Sequence, residues 1–235
     1  FFNETSRLTP TVAISACLCG EKVRYDGQHK RLNTVESYLA AYLQLKPICP
    51  EVGAGLAIPR PPINLVIENG VTKALGRDDP TMDLTALLSD YSQKSVIDLE
   101  AEISGYIFKS RSPSCGLNST PIFNNADQIE MGSGIQAACF SQQLPWLPMV
   151  EETELQTQAH CDRFILNAMI MLDLRLATQE SGLEKVHEHF QPALRKADEN
   201  QCKHMRAYVK AKDSKKTILL RSSNKTHQHN FTFCR

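Results

Sequence analysis

Three short apolar runs in this chain each give way to a cysteine on a turn. "TVAISACL" (11–18) is apolar and partly β-branched and holds Cys17. "KPICP" (46–50) holds Cys49, and "GYIFKSRSPSCG" (105–116) leaves its apolar part at Phe108 and reaches Cys115 through a Ser/Pro turn. Runs this short and this apolar predict strands buried on both faces, as in a parallel sheet. Parallel neighbours need crossover helices, and the segments between the runs take a helical period. "TVESYLAAYLQL" (34–45) predicts a helix with Thr34 as its cap. "DDPTMDLTALLSDYSQKSVIDLEAEI" (78–103) predicts a longer one, capped by Asp79 with Pro80 in its first turn. "INLVIEN" (63–69) predicts a strand that turns at Asn69-Gly70, and "PIFNN" (121–125) a strand edge. "IQAACFSQQL" (135–144) predicts a helix behind Gly132-Ser133-Gly134, with first-turn N–H groups placed to meet an anion.

The expected fold class is therefore α/β. An N-terminal Rossmann-like domain, residues 1–150, has a mainly parallel sheet with helices. A small all-α domain is expected over 151–235, where "CDRFILNAMIMLDLRLA" (161–177) sets Phe164, Ile165, Ala168, Met169, Leu172 and Leu176 on one face. Two further helical segments are expected over 182–197 and 201–211.

Charge separates the two parts. Residues 195–235 carry eleven Lys/Arg against three Asp/Glu, a net +8, and residues 1–194 carry fifteen against twenty-three, a net −8. A basic segment beside an acidic body suits a polyanion such as RNA, and a solvated tail has the same composition; both readings stay open. No apolar run is long enough for a membrane span. The start, "FFNETSRLTP", has neither the basic nor the long apolar region of a secretory signal, so a reducing cytoplasm is expected for the eight cysteines.

Ligands of parallel sheets bind beyond the carboxyl ends of the strands. Cys17, Cys49 and Cys115 are expected there together. Three thiolates suit an iron–sulfur cluster or zinc with one metal position left open. Three small buried strand-end thiols would read the same way. Cys139, Cys161, Cys202 and Cys234 fall in helical or tail contexts, and His187 and His189 do not share a helix face.

"SACLCGEKVRYDG" (15–27), "CPEVGAGLAIPRPP" (49–62), "LGRDDPTMDLT" (75–85) and "GYIFKSRSPSCG" (105–116) together resemble the thiouracil desulfurase family, long known as a domain of unknown function, from residue 11 to about 152. The segment from "LPWLPMVEE" (144–152) onward resembles the start of the helical domain fused to it in two-domain tRNA 4-thiouridine desulfidases, here shortened. The resemblance implies a [4Fe-4S] cluster held by Cys17, Cys49 and Cys115, with one open iron for the thiocarbonyl sulfur. Cys19 stands where the family has an apolar residue, and is taken as a bystander.

The implied reaction is non-redox desulfuration of a thiouracil ring, most simply 4-thiouridine in tRNA converted to uridine, with sulfide taken up by the open iron. A soft metal suits a soft sulfur and makes the thiocarbonyl carbon more electrophilic towards water. Glu51, two residues past Cys49 and on the same side of an extended chain, is the expected base. Ser112 is the expected partner that orients the water or donates to the departing sulfur. Arg24, Tyr25 and Asp26 of "VRYDG" and Ser114 are candidate pocket residues, and Arg60 and Lys109 candidate contacts to a nucleotide phosphate. Arg163, Arg195, Lys196, Lys203, Arg206, Lys210 and Lys212 are candidate RNA phosphate contacts. Two alternatives remain: the same chemistry on free thiouracil or thionucleosides, and a non-enzymatic cluster-containing sensor or RNA-binding protein.

Overall fold

A computed structural model of the chain describes residues 8–124 and 127–180. The helices expected over 182–211 and six of the seven RNA-contact candidates, all but Arg163, lie outside those residues.

Four parallel strands form the sheet that carries the site. They are β1 (Thr11–Ser15), β2 (Gln44–Ile48), β5 (Tyr106–Phe108) and β8 (Met149–Glu151), in the order β2-β1-β5-β8. Ser15 aligns with Ile48 and Ile14 with Ile107, so three strand ends reach one edge together. The chain steps from β1 outward to β2 and later back to the other side at β5. The crevice beyond the carboxyl ends of β1 and β5 is thus the switch point of the sheet.

Alternation along these strands feeds two cores. Ala13, Tyr106 and Phe108 pack on one face with Val96 and Leu99 of α3 (Thr85–Leu99) and Ala137 and Phe140 of α4 (Ile135–Gln143). Val12, Ile14 and Ile107 pack on the other with Val35 of α1 (Asn33–Ser37) and with Cys161, Phe164, Ile165 and Ala168 of α5 (Gln158–Glu180). Helices therefore cover both faces of a parallel sheet, as the expected α/β class requires.

Several expected boundaries move. The helix expected over 34–45 stops at Ser37, and a 3-10 turn follows at Leu39–Ala41. Pro47 is incompatible with a helix interior, and the segment joins the sheet as edge strand β2, where a proline is tolerated. Asp79 does not cap α3. It accepts from the Thr81 N–H at 3.0 Å and the Thr81 hydroxyl at 2.6 Å, closing a turn before the helix. The division at residue 150 falls inside β8, and α5 lies on the same sheet as α1, its apolar face part of the α/β core. The expected apolar face is present: Phe164, Ile165, Ala168 and Leu172 are buried, the first three packed with Val12, Ile14 and Ile107 of the sheet.

A second, mixed sheet has the order β4-β3-β6-β7, with β3 (Ile63–Glu68), β4 (Val71–Gly76), β6 (Thr120–Asn124) and β7 (Asp127–Gly132). β3 and β4 are antiparallel through Asn69 (φ 51°) and Gly70 (φ 77°), the left-handed pair that a tight hairpin demands.

Candidate active site

Each strand end hands its cysteine to a different device. After β1 the chain enters a 3-10 turn, Ala16–Cys19, that buries Cys17. After β2, Cys49 directly precedes the one-turn helix α2 (Pro50–Gly53). After β5 a loop returns to the sheet edge and buries Cys115. The three thiols line a single cleft of about 220 Å³ with Arg24, Tyr25, Glu51, Arg60, Lys109 and Ser112 on its walls. Pro62, Ile63, Asn64 and Arg77, from β3 and the segments flanking it and β4, close another side. Cys19 is not part of this lining.

Burial pushes all three thiols up. The Cys17 thiol is raised to about 11, by desolvation first, against the lowering effect of the Arg24 charge. Cys49 is raised by desolvation, partly offset by the Val52 N–H. Cys115 is raised well above the usual range, again by desolvation, with a hydrogen bond to Ser15 opposing it. Three thiols held protonated in one cleft are a donor set that a cationic metal group would convert to thiolates with release of protons. Among the described residues no three His, Cys, Asp or Glu side chains converge as ligands of a single ion. The three thiols line one space, which suits a soft-metal group.

Glu51 sits on α2 with its carboxylate in the cleft wall. Arg60 Nε donates to its Oε2 at 2.6 Å and the Ser114 hydroxyl to its Oε1 at 2.9 Å. Arg60 also donates to the carbonyls of Val23 at 2.9 Å and Ala57 at 3.2 Å, and its side chain is 6% exposed. The guanidinium orients Glu51 and ties it to the "VRYDG" loop through the Val23 carbonyl, and Arg60 also lines the cleft. Ser114 likewise serves Glu51 and stays out of the cleft lining.

The loop after β5 is a network of its own. The Ser112 hydroxyl accepts from the N–H groups of Ser114 at 3.3 Å and Cys115 at 3.1 Å, which fixes the turn around Cys115. Its own proton has no acceptor among the described residues, and Ser112 lines the cleft. Lys109, expected at a phosphate, is instead ion-paired with Glu152 and donates to the Ser110 carbonyl at 3.1 Å. The first turn of α4 does not wait for an anion. Its N–H groups go to the loop carbonyls, Gly134 to Gly116 at 2.8 Å, Ile135 to Pro113 at 3.1 Å and Gln136 to Ser114 at 2.9 Å. A Cβ on Gly134 would stand 2.5 Å from the Ser114 carbonyl carbon, so only glycine lets the helix approach the cysteine loop.

Two carboxylates here have no counterpart among the expected site residues. Glu151 and Glu152, 6% and 9% exposed, both bond into the 109–119 loop. Their partners are 32 to 43 residues away in sequence, beyond any local pattern. Arg24 lies 5.5 Å from the Tyr25 ring centre, and Tyr25 is 37% exposed, a ring open to a planar ligand. Asp26 is turned to the Gln28 N–H at 3.0 Å, which holds its carboxyl below the usual range, and it closes the turn rather than lining the cleft.

An α/β fold with a three-thiol cleft at its switch point, and a carboxylate and a hydroxyl on the wall, has the donor chemistry that a soft-metal group would take. The chain matches the 2-thiouracil desulfurase family over residues 12–152, and it belongs to that family. It is a desulfurase. The solved structure of the [4Fe-4S]-dependent thiouracil desulfidase TudS is similar to it, with a TM-score of 0.50 and 28% identity, over 63% of this chain and 93% of that one. The uncharacterized protein YbbK of Bacillus subtilis (strain 168) is 29% identical over 140 residues, 56% of this chain and 89% of the relative. No helix among the described residues is long and apolar enough to cross a membrane.

Proposed function

We propose that this chain removes sulfur from a thiouracil ring with a [4Fe-4S] cluster held by Cys17, Cys49 and Cys115. The convergence of these thiols with Glu51 and Ser112 on one cleft carries the reading. The cluster would supply a soft Lewis acid for the thiocarbonyl sulfur and would take up the sulfide released when water replaces sulfur on the ring carbon, with no net redox change. Glu51 takes the proton of the attacking water, held in one orientation by Arg60 and Ser114. Ser112 offers its unspent proton to the water or the departing sulfur. Tyr25 provides a ring face for the pyrimidine. The cleft takes one base, so a base in RNA enters it flipped out of its stack.

The substrate we propose is 4-thiouridine in tRNA. The net +8 of residues 195–235, which lie outside the described residues, supports it. A cytoplasmic location goes with that substrate. The TudS likeness and the single-base cleft favour free thiouracil or a thionucleoside as the second reading. Anaerobic reconstitution with iron and sulfide tests both. A broad visible absorbance that Cys115→Ala abolishes is expected, followed by loss of 4-thiouridine absorbance from bulk tRNA. Turnover of free thiouracil with thiolated tRNA untouched would overturn the tRNA reading. Turnover without any iron would overturn the cluster.

A further inference from the structure

The loop that carries Ser112 and Cys115 is bracketed by two non-glycine residues in the left-handed region, Arg111 at φ 58° and Asn118 at φ 62°. Side chains rarely adopt this conformation unless their surroundings over-determine it, and such residues gather at functional sites. Asn118 is held by Ser133, and Arg111 connects through Ser119 to the first of two consecutive buried glutamates. Glu151 ends β8, where it pairs with Phe108 of β5, so its backbone is fixed to the sheet; Glu152 follows directly.

Glu152 Oε2 accepts from the Ser110 N–H at 2.6 Å, and its Oε1 accepts from the Ser110 hydroxyl at 2.7 Å and from Lys109. Glu151 Oε1 accepts from the Leu117 N–H at 2.7 Å and from the Ser119 hydroxyl. The Ser119 oxygen in turn accepts from the Arg111 N–H at 2.7 Å. One carboxylate holds the loop where it leaves β5, and the other holds its return. Neither lines the cleft.

We infer that Glu151 and Glu152 are positioning residues for the desulfuration step: a double latch, anchored on β8, that holds Ser112 and Cys115 against the cleft. The inference rests on the proposed reaction for its kinetic part. The latch itself is a property of the chain and is read without turnover.

Hydrogen exchange on the apo-protein tests the latch. Glu152→Gln is expected to speed exchange at Ser110, and Ser119→Ala to speed it at Arg111, with α5 unchanged. Unchanged exchange at both amides in folded variants overturns the inference. On the reconstituted enzyme with free thiouracil, Glu152→Gln is expected to lower kcat by roughly ten- to a hundredfold while KM moves little, the signature of misplaced rather than unbound groups. In a Ser112→Ala background the same change should cost much less, because both act through one hydroxyl. Full multiplication of the two losses overturns the role assigned to Ser112. Should Glu152→Gln fail to fold, Ser119→Ala leaves both glutamates in place and carries the same kinetic expectation, with faster exchange at Arg111. Wild-type protein without turnover, but with the exchange pattern as expected, would count against the desulfuration reading and not against the latch.

Discussion

Two carboxylate–cation–serine groups flank the cleft, and they differ in what they hold. Glu51 takes Arg60 and the Ser114 hydroxyl, side chains only, and its carboxylate faces the cleft. Glu152 takes Lys109 and the Ser110 hydroxyl, but it also accepts the Ser110 backbone N–H and stays outside the lining. The chemical parts are nearly the same. A carboxylate that satisfies a buried backbone N–H is tied to the fold, because leaving that N–H unpaired is costly. One that is held by side chains beside a cleft is oriented and still accessible to a ligand. Residue type thus does not separate a glutamate that faces the cleft from one that holds the loop; the partner atoms do.

The comparison can be broken by mutation. Cys115→Ala is the largest expected effect: reconstituted protein should lose its visible chromophore and all turnover, read by absorbance and iron content. Glu51→Gln comes next. It should leave the chromophore intact and lower kcat by about 10²–10⁴, the range for a general base. A loss under about tenfold would move Glu51 to the holding class. The thiols give a third test. With metal removed, Cys17, whose thiol is raised to about 11, should react with iodoacetamide at pH 8 roughly a hundredfold or more slower than free cysteine. The rate should climb with pH and level off only past that value, since the thiolate is the reactive form.

Stability sharpens the same contrast at smaller scale. Arg60→Met leaves the nearly enclosed Glu51 without its cation and should cost about 3 kcal/mol in urea unfolding. Lys46 pairs with Glu102 at 2.6 Å, but both side chains are more than 40% exposed. Lys46→Ala should therefore cost under about 1 kcal/mol and lose even that at high salt.

Local pattern made much of this readable. β1, β3 and β5, and the apolar faces of α4 and α5, follow from short apolar runs and helical spacing. β7 escaped because five of its six residues are exposed, leaving no apolar alternation to detect. The start of α3 was misplaced because Asp79 and Pro80 are good helix-start residues that here build a turn. At the site, the three cysteines were legible as strand-end residues. The duties of Arg60 and Lys109 were not, since a cation in a loop looks alike whether it meets a phosphate or a carboxylate.

The sequence by itself determined the three strand-end cysteines and the α/β class, because each depends on residue type and spacing over a few positions. Tertiary structure decided which glutamate faces the cleft and which holds the loop, and it brought α5 onto the sheet that the chain had seemed to leave at residue 150. Those outcomes depend on burial and on hydrogen bonds between residues far apart in the chain, which exist only once the sheet has assembled.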